Sequence, residues 1–522
     1  MAALSDAPSD ASSLQLEPLE PLLITQNPPL ASEVAMARAI AAKAQDDLKN
    51  VKARIAELRV QERRLQHHFD DHQRIVFSIN RLPIELLSLI FRFALPSVRQ
   101  LLKDKLYYPT TRPAAPAIAQ SPWLVSQVCK LWREIALTSH SLWAFPIVFP
   151  PTQSPSQLKL HLERAGNAGL HPLLSGSPDV RYFPRLLASV VEYSPRWVTL
   201  WMSFNWTPFQ DELVALKGHV GQLEELRIDG VWGDDEDTAL EEGERLTVFA
   251  VAPRLRTVEI NDVCEPAVSI LLPWHQLTEY RGIGTAHEHL SVLKHCANLV
   301  TLHLTFTSAV TVVLTAVVPT EPAQYELVLP HLVRLHIGDA EFLRVMSLPV
   351  LQHIVVQRKD WDPDYDTLLP LLHLVQRTDR PSTASPFPTI SALRIHVQRG
   401  DTTAIDELLG RLTLTPDNGQ PTSTAACLAP SLISIELVGR GTYNEARFVE
   451  MVESRWRGCG GGCAQIRRVV LFRTMSTPEF MSDTMQRLGA LAKEGLYVSV
   501  TASPKPVLDF YDRHDEWTRL LN

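Results

Sequence analysis

The first regular pattern along the chain is a series of apolar residues spaced alternately three and four positions apart. This heptad seam consists of Val34, Ala37, Ala41, Ala44, Leu48, Val51, Ile55, Leu58, Leu65, Phe69 and Val76, with Glu62 and His72 as polar interruptions. Because no glycine or proline occurs between Ala31 and Arg81, the pattern predicts a single long helix over residues 31–78. Such a helix either pairs with a second copy as a coiled coil or folds back onto its own chain, and the pattern leaves both open.

The next two helical patterns carry more large apolar side chains than one buried stripe requires. "INRLPIELLSLIFRFAL" begins at Ile79, with Pro83 suited to a first helical turn, and "VSQVCKLWREIAL" begins at Val125. A helix starting at Ser121 is predicted to contain the second pattern, and a short apolar piece, "SLWAF", follows from Ser141. Three short helices cannot bury so many large side chains among themselves, so some of these residues are predicted to face a partner.

These residues resemble an F-box of the kind common in fungal F-box families. The matching residues, in order, are Leu82, Pro83, Glu85, Leu86, Leu87, Ile90, Phe91, Val128, Cys129, Lys130, Trp132, Arg133, Leu142 and Trp143. The resemblance covers residues 79–147 and implies a trihelical module that docks onto the Skp-type adaptor of a Skp–cullin–F-box ubiquitin ligase. By that resemblance, the adaptor-facing residues are Leu82, Pro83, Ile84, Leu86, Leu87, Ile90, Phe91, Val125, Cys129 and Trp132. Residues 96–121 form a longer insert than usual, and an insert folded across the first helix would block docking.

From about residue 195 a short apolar motif of the form L-x-x-L-x-L recurs ten times. The copies are "WVTLWM", "LEELRI", "LRTVEI", "LTEYRG", "LVTLHL", "LVRLHI", "LQHIVV", "ISALRI", "LISIEL" and "IRRVVL". Helical patterns follow several copies, for example from Glu288, Glu341, Asp366, Ala404, Asn444 and Glu479. Strand then helix, repeated, resembles degenerate leucine-rich repeats over residues 195–502. An ordinary α/β domain with amphipathic strands is the alternative.

In a repeat of this kind, one residue between the last two apolar anchors of each copy faces the same side of the sheet. This polar row consists of Trp201, Arg227, Glu259, Arg281, His303, His336, Val355, Arg394, Glu436 and Val470. Its centre, formed by Arg281, His303, His336 and Arg394, is polar and modestly basic, and these four residues are predicted to face a protein target. A solvated sheet face is the simpler interpretation.

The predicted fold class is therefore α/β: a long N-terminal helix, a trihelical F-box, and an irregular leucine-rich-repeat-like solenoid with a parallel strand ladder. The remaining segments are predicted to be a disordered tail over 1–30, rich in proline and serine, a connector over 148–194 and a C-terminal tail over 503–522.

Composition narrows the location and the partners. The net charge of −8 over 522 residues gives no indication of nucleic-acid or membrane binding. Six scattered cysteines do not form a disulfide framework, and the N-terminus lacks the basic segment of a secretory signal. No apolar run is long enough to span a bilayer. The expected location is cytoplasmic, nuclear or both.

No cofactor, metal site or catalytic motif is predicted. The alternating Asp360, Asp362, Asp364 and Asp366 resemble the start of a calcium loop but lack its glycine and its final glutamate. The pair Cys459 and Cys463 has no second ligand pair nearby. The chain is therefore expected not to be an enzyme.

The predicted function is a substrate-recognition adaptor whose F-box binds a Skp-type adaptor, and through it a cullin, while the repeats bind an unknown target protein. The alternative is a coiled-coil and repeat scaffold outside any ligase.

Overall fold

The computed structural model describes most of the chain from residue 30 onward. The described residues are 30–76, 79, 82–95, 122–144, 147–148, 155–175, 183–230, 245–307, 327–357, 371, 390–397, 402–414, 429–439, 443–458, 463–474 and 480–503. The predicted N-terminal tail, the insert 96–121, the Asp360–Asp366 loop and the last residues of the chain lie outside this part. The chain divides into two compact units, Met1–Ile90 and Phe91–Asn522.

The first unit contains one helix of 46 residues, α1 (Ala31–Val76), which confirms the single long helix predicted from the heptad seam. Its sequence is rich in alanine, arginine, glutamine and leucine, which lose little conformational freedom in a helix. The Leu30 amide donates to the Glu33 carboxylate at 2.8 Å at the start of the helix. Further along, Arg54 pairs at 3.0 Å with Glu57, which is three residues after it. The unit boundary falls inside the next helix, α2 (Ile84–Ala94).

In the second unit, the predicted helix from Ser121 is broken into two. They are α3 (Pro122–Val128) and α4 (Lys130–Thr138), followed by a 3₁₀ turn at His140–Trp143. The break occurs because Cys129 is extended and its Sγ accepts a hydrogen bond from the Trp132 amide at 3.4 Å, which caps a new helix. Sequence periodicity continues through the break and therefore predicted one helix.

The rest of the second unit is organised around a parallel sheet of thirteen strands. Its strands are β1 (Ile147–Val148), β2 (Leu173–Ser175), β3 (Thr199–Ser203), β4 (Glu225–Asp229), β5 (Thr257–Asn261), β6 (Glu279–Gly284), β7 (Thr301–Phe306), β9 (Arg334–Ile337), β11 (His353–Val356), β12 (Ala392–Val397), β13 (Ser434–Gly439), β14 (Arg468–Thr474) and β15 (Tyr497–Ser503). Two further strands, β8 (Leu327–Val328) and β10 (Met346–Ser347), pair only with each other. Each strand of the large sheet pairs with the strands before and after it in chain order, which is a solenoid-like topology.

Helices and turns connect successive strands. The helices are α5 (Pro155–Arg164), α6 (Phe183–Val191), α7 (Gln210–Leu213), α8 (Pro266–Ser269), α9 (Ala286–Leu293), α10 (Thr402–Leu412), α11 (Glu445–Arg457) and α12 (Ser482–Lys493). The 3₁₀ turns are Ser194–Arg196, Thr207–Phe209, Val214–Leu216, Trp274–Gln276 and Ala340–Val345. α9 begins at a reciprocal cap, in which Thr285 and Glu288 each accept from the other's amide.

All ten strand motifs predicted from the repeats form strands of this sheet, β3 to β7, β9 and β11 to β14. Around the segment 148–194, which the sequence predicts as a connector, β1 and β2 extend the ladder before residue 195. Those strands have only two and three residues, too few to show an alternating pattern. Of the predicted helices, the one from Glu341 is a 3₁₀ turn, and the one from Asp366 lies in a segment that is not described.

The core lies on one face of the sheet. The middle apolar anchors of the motifs pair in register and are buried: Leu200, Leu226, Val258, Tyr280, Leu302, Leu335, Ile354, Leu393, Ile435 and Val469. Gly282 lies beside this row, and a Cβ there would be 2.7 Å from the Tyr280 hydroxyl and 2.8 Å from His289 Cε1. Only glycine therefore leaves room for both rings.

One buried arginine connects helix α11 to the end of α10 and to the segment before β13. Arg455 in α11 is fully buried, and its Nε donates to the Leu412 carbonyl at 2.7 Å, at the end of α10. Its guanidinium also donates to the Ala429 carbonyl at 3.1 Å, ahead of β13. These bonds compensate the cost of burying the charge.

Candidate functional site

Helix α2 has an apolar surface that the chain leaves exposed. Leu87 and Phe91, one helical turn apart, form its buried stripe at 0% and 1% exposure. Five other large apolar side chains of this helix are exposed and together form the α2 apolar surface: Ile84, which is in line with Leu87 and Phe91, and Leu86, Leu89, Ile90 and Phe93, which lie off that stripe. Phe93 is the most exposed of them, at 79%. A helix of 11 residues with this many exposed apolar groups offers a docking surface rather than a core face.

In the second unit, the predicted motif residues Phe91, Trp132, Leu142 and Trp143 have structural roles. The rings of Phe91 and Trp132 are 4.6 Å apart, and Leu142 and Trp143 are buried. The Trp143 indole donates to the Ala136 carbonyl at 2.7 Å, which ties the 3₁₀ turn to α4. This part of the motif therefore packs the small helical region itself.

Aromatic and cationic side chains pack against each other in the same region. The Trp123 and Trp143 rings meet edge to face at 5.0 Å, and the Arg164 guanidinium lies 4.2 Å from the Trp123 centroid. His161 of α5 contacts the other side of Trp143 at 5.2 Å. Burial lowers the pKa of His161 to about 4, with a hydrogen bond to the Trp143 backbone opposing the shift and Arg164 adding to it.

The predicted adaptor-facing residues fall into three groups by exposure. The exposed ones are Pro83, Ile84, Leu86 and Ile90; the half-buried ones are Leu82, Val125, Cys129 and Trp132; the buried ones are Leu87 and Phe91. Leu87 and Phe91 therefore have no surface for a partner to contact. Leu89, Phe93, Leu124 and Val128 are exposed apolar residues that the sequence prediction left out. For Leu89 and Phe93, the available signal was their position off the Leu87–Phe91 stripe of α2.

The second candidate site is the polar row. The strand register aligns all ten of its residues, from Trp201 opposite Arg227 to Glu436 opposite Val470. Most are half-buried, whereas Trp201, Arg394 and Glu436 are buried. A face with aligned polar groups and partly exposed side chains can contact a protein. The pairing of its charges determines whether it offers free charge or fixed hydrogen-bonding and aromatic groups.

At the β3–β5 end, the charges of the polar row are held by their neighbours. Arg227 stacks on Trp201, with its guanidinium 3.6 Å from the ring centroid. It also pairs with Asp229 at 3.0 Å and with Glu259 at 2.7 Å. The Trp201 indole donates to Asp229 at 2.5 Å. This end is a pre-ordered network in which aromatic, basic and acidic groups are fixed in place.

At the centre, the two predicted arginines are ion-paired. Arg281 pairs with Glu279 at 2.6 Å; burial acts to lower its pKa, but Glu279 and Glu259 outweigh burial and raise it. Arg394 pairs at 3.1 Å with Glu436, which also accepts from Arg468. The centre is therefore polar, as the sequence indicates, but its two arginines carry less uncompensated positive charge than their number suggests.

Histidines lie between those arginines. The His303 and His336 rings are 4.7 Å apart, and His336 is hydrogen-bonded to Gln357 at 2.9 Å. Burial, followed by Arg394 and His336, lowers the pKa of the nearby His396 well below its usual value.

Within the described ranges, no group of three or more potential metal ligands occurs. Cys463 is disulfide-bonded, whereas Cys129, Cys264 and Cys296 are free thiols.

Among the helices that the structure describes, none is both long enough and apolar enough to cross a bilayer. Neither the models of known protein families nor the curated proteins include a match to this chain.

Proposed function

We propose that the chain is the substrate-recognition subunit of a Skp–cullin–F-box ubiquitin ligase. The observation that carries the proposal is the α2 apolar surface, because it lies within the segment that resembles the adaptor-binding helix of an F-box. A helix whose only task was to fill a core would bury the Leu87 stripe and present polar residues elsewhere.

The size of the α2 apolar surface is consistent with docking as one part of a larger interface. Fully burying a large apolar side chain contributes roughly 1.5–3 kcal/mol, and these five side chains are already about half covered. They then supply about 5 kcal/mol in total, against an association cost of about 4–15 kcal/mol. Further contacts are required, and Leu124 and Val128 on α3 are the exposed candidates.

The repeat region would present the target protein. The polar row offers fixed hydrogen-bonding and aromatic groups, with Trp201 and Arg227 already ordered. Ubiquitin transfer would be catalysed by other subunits, and this chain would contribute proximity by holding the target near them. In this proposal the chain supplies no catalytic residue.

The test is co-expression of the full chain with a Skp-type adaptor, followed by affinity purification. The binding variant carries Ile84→Ala, Leu86→Ala and Ile90→Ala. We expect the wild-type chain to copurify with the adaptor in equal amounts. The amount of adaptor that copurifies with the variant should be at least tenfold lower.

The matched control replaces three exposed apolar residues of the repeat region, with Val214→Ala, Val268→Ala and Leu271→Ala. It should retain the adaptor. Thermal unfolding of all three proteins shows whether each remains folded. If the wild-type chain is folded and binds no adaptor, or if both variants bind as well as it does, the ligase proposal is wrong and a scaffold outside any ligase is the better hypothesis.

A further inference from the structure

Helix α1 exposes its heptad seam from Ala37 to His72. Nine large apolar side chains of this helix are exposed, and six of them, Leu48, Val51, Ile55, Leu58, Leu65 and Phe69, belong to the seam. With Val34 taken as the first a position, apolar residues occupy every a and d position to Phe69 except Glu62 at a, and His72 follows at d. An exposed apolar strip with strict 3.5-residue spacing is the surface that a second helix covers.

We propose that the chain forms a homodimer in which α1 pairs with α1 of a second copy as a parallel, in-register, two-stranded coiled coil. The proposal does not depend on the ligase function. Its strongest layers are predicted between Leu48 and Phe69, because the preceding a and d positions from Ala37 to Ala44 hold only alanine.

The charges flanking the seam favour parallel pairing. Position e carries Arg38, Lys52 and Arg59 and no acidic residue. In an antiparallel pair, e positions face e positions, so these basic groups would repel each other. In a parallel pair, each g residue faces the next e residue of the partner, which brings Glu33 to Arg38 and Asp47 to Lys52.

One parallel contact is unfavourable, since Arg54 at g would face Arg59 of the second copy. Within α1, however, Arg54 already pairs with Glu57 at 3.0 Å, which reduces that repulsion. The balance of two attractive contacts and one weakened repulsive contact supports the parallel orientation.

The residue types in the segment from Ile55 to Leu65 favour two strands. Ile55 stands at a and Leu58 and Leu65 at d, and a β-branched residue at a with leucine at d is the combination that favours parallel dimers, whereas the preceding layers have the reverse order, Leu48 at a and Val51 at d. The interface is also large enough. From Val34 to His72 the helix extends about 57 Å at about 1.5 Å per residue, with a contact strip about 10 Å wide. This gives about 1,200 Å² in total, the lower end of the range for stable complexes.

Glu62 gives the dimer a specific weak point. It stands at an a position, so a parallel in-register dimer places the two Glu62 carboxylates opposite each other. Like charges at this position cost stability, and replacing them with leucine should strengthen the dimer. No other arrangement of the two helices makes Glu62 meet itself and leaves the rest of the seam paired.

The first experiment measures the mass of the full chain by sedimentation equilibrium over a range of concentrations. The test pair is Leu58→Glu, at d, and Val60→Glu, at f on the opposite face; these residues are 48% and 40% exposed in the same helical turn. We expect twice the 58.5 kDa chain mass for the wild type and for Val60→Glu, and a monomer for Leu58→Glu. A wild-type monomer at every concentration, a trimer or tetramer, or equal behaviour of the two variants overturns the proposal.

The second experiment tests orientation and register. In a parallel in-register dimer, Leu65→Cys places two thiols opposite each other, and a mild oxidant should link them into a covalent dimer. His67→Cys, at f, is the control and should not be linked beyond the wild-type background. Because Leu65 lies far from the middle of the seam, an antiparallel dimer keeps the two thiols apart, so absent cross-linking in a protein of dimeric mass overturns the parallel assignment. Glu62→Leu should tighten the dimer about tenfold, and a weaker dimer contradicts the in-register pairing.

Discussion

Acidification from pH 7 to pH 5 should destabilise the second unit through two buried histidines. His161 and His289 are both almost fully buried. Burial lowers the pKa of each ring to about 4, although a hydrogen bond between His289 and the Thr305 carbonyl acts in the opposite direction. In the unfolded chain both rings have a pKa of about 6.5.

The sign and size follow from proton linkage. Because the folded pKa is lower than the unfolded one, protons bind the unfolded state first and favour unfolding as the pH falls below about 6.5. Each ring then removes about 2 kcal/mol of stability at pH 5 and about 3 kcal/mol once the pH is below 4. Two rings give about 4 kcal/mol at pH 5, a large share of a typical folding free energy of about 5–15 kcal/mol.

Other groups add to this loss or act at lower pH. The pKa values of His171, His353 and His396 are also lowered by burial, so they change stability in the same direction. Glu453 and Glu494 have pKa values lowered by their hydrogen bonds to arginine, but their stabilising effect is lost only as the pH falls below about 4.5. The window from pH 6.5 to 5 therefore reports on histidines.

The assay is urea unfolding of the full chain at pH 7, 6 and 5, followed by tryptophan fluorescence. His289→Gln keeps a donor for the Thr305 carbonyl and removes the titration. We expect this variant to lose about 2 kcal/mol less than the wild type between pH 7 and pH 5. His219→Gln, at an exposed histidine, controls for the substitution itself. If His289→Gln and the wild type lose the same stability over this range, the burial argument for His289 is wrong.

Two further substitutions test the packing of the second unit by the same urea assay at pH 7. Arg455→Met should cost about 2–5 kcal/mol, because it removes the Arg455 donor from the Leu412 carbonyl and leaves the Ala429 carbonyl with only the Leu432 amide as donor. Arg457→Met, at an exposed arginine in the same helix, should cost under about 1 kcal/mol. Equal costs contradict the role given to Arg455. Gly282→Ala should cost about 1–3 kcal/mol by crowding the Tyr280 and His289 rings. Gly410→Ala, inside α10, should stabilise by about 0.5–1 kcal/mol, because no atom lies within 4 Å of the added Cβ. A neutral Gly282→Ala refutes the crowding argument.

The strands were predictable because the apolar pattern of each motif copy is sufficient to predict one strand. Alternating anchors such as Leu226 and Ile228 indicate one buried face without knowledge of any other copy. Their alignment into a ladder follows from parallel pairing in chain order, so the polar row could be written from the sequence alone. Five strands were missed. β1, β2, β8 and β10 have only two or three residues, too few to show an alternating pattern. β15 does alternate, in the sequence YVSVTAS, but its small residues lack the large apolar anchors of the motif.

The ion pairs of the polar row could not be predicted in the same way. Arg394 and Glu436 are 42 positions apart in the sequence, and their contact depends on the register of β12 against β13. Similarly, the break at Cys129 depends on a local cap that leaves the apolar periodicity intact. Apolar periodicity indicates which residues face which side of an element, whereas charge compensation depends on contacts between strands, and the helix break on a short-range hydrogen bond that apolar periodicity does not record.

The α1 seam and the α2 apolar surface differ in how far the chain itself defines the partner. The α1 seam is complementary to the α1 seam of a second copy, because its heptad spacing and flanking charges match those of that copy. The α2 apolar surface has no such self-matching pattern, and the F-box resemblance alone points to its partner. The two proposals therefore predict opposite results for two variants. Leu58→Glu should abolish the dimer and leave the adaptor bound, whereas the triple alanine variant at Ile84, Leu86 and Ile90 should lose the adaptor and remain a dimer. A single variant that lost both properties would mean that dimerisation and docking share one surface, and the separate roles argued for α1 and α2 would then be wrong.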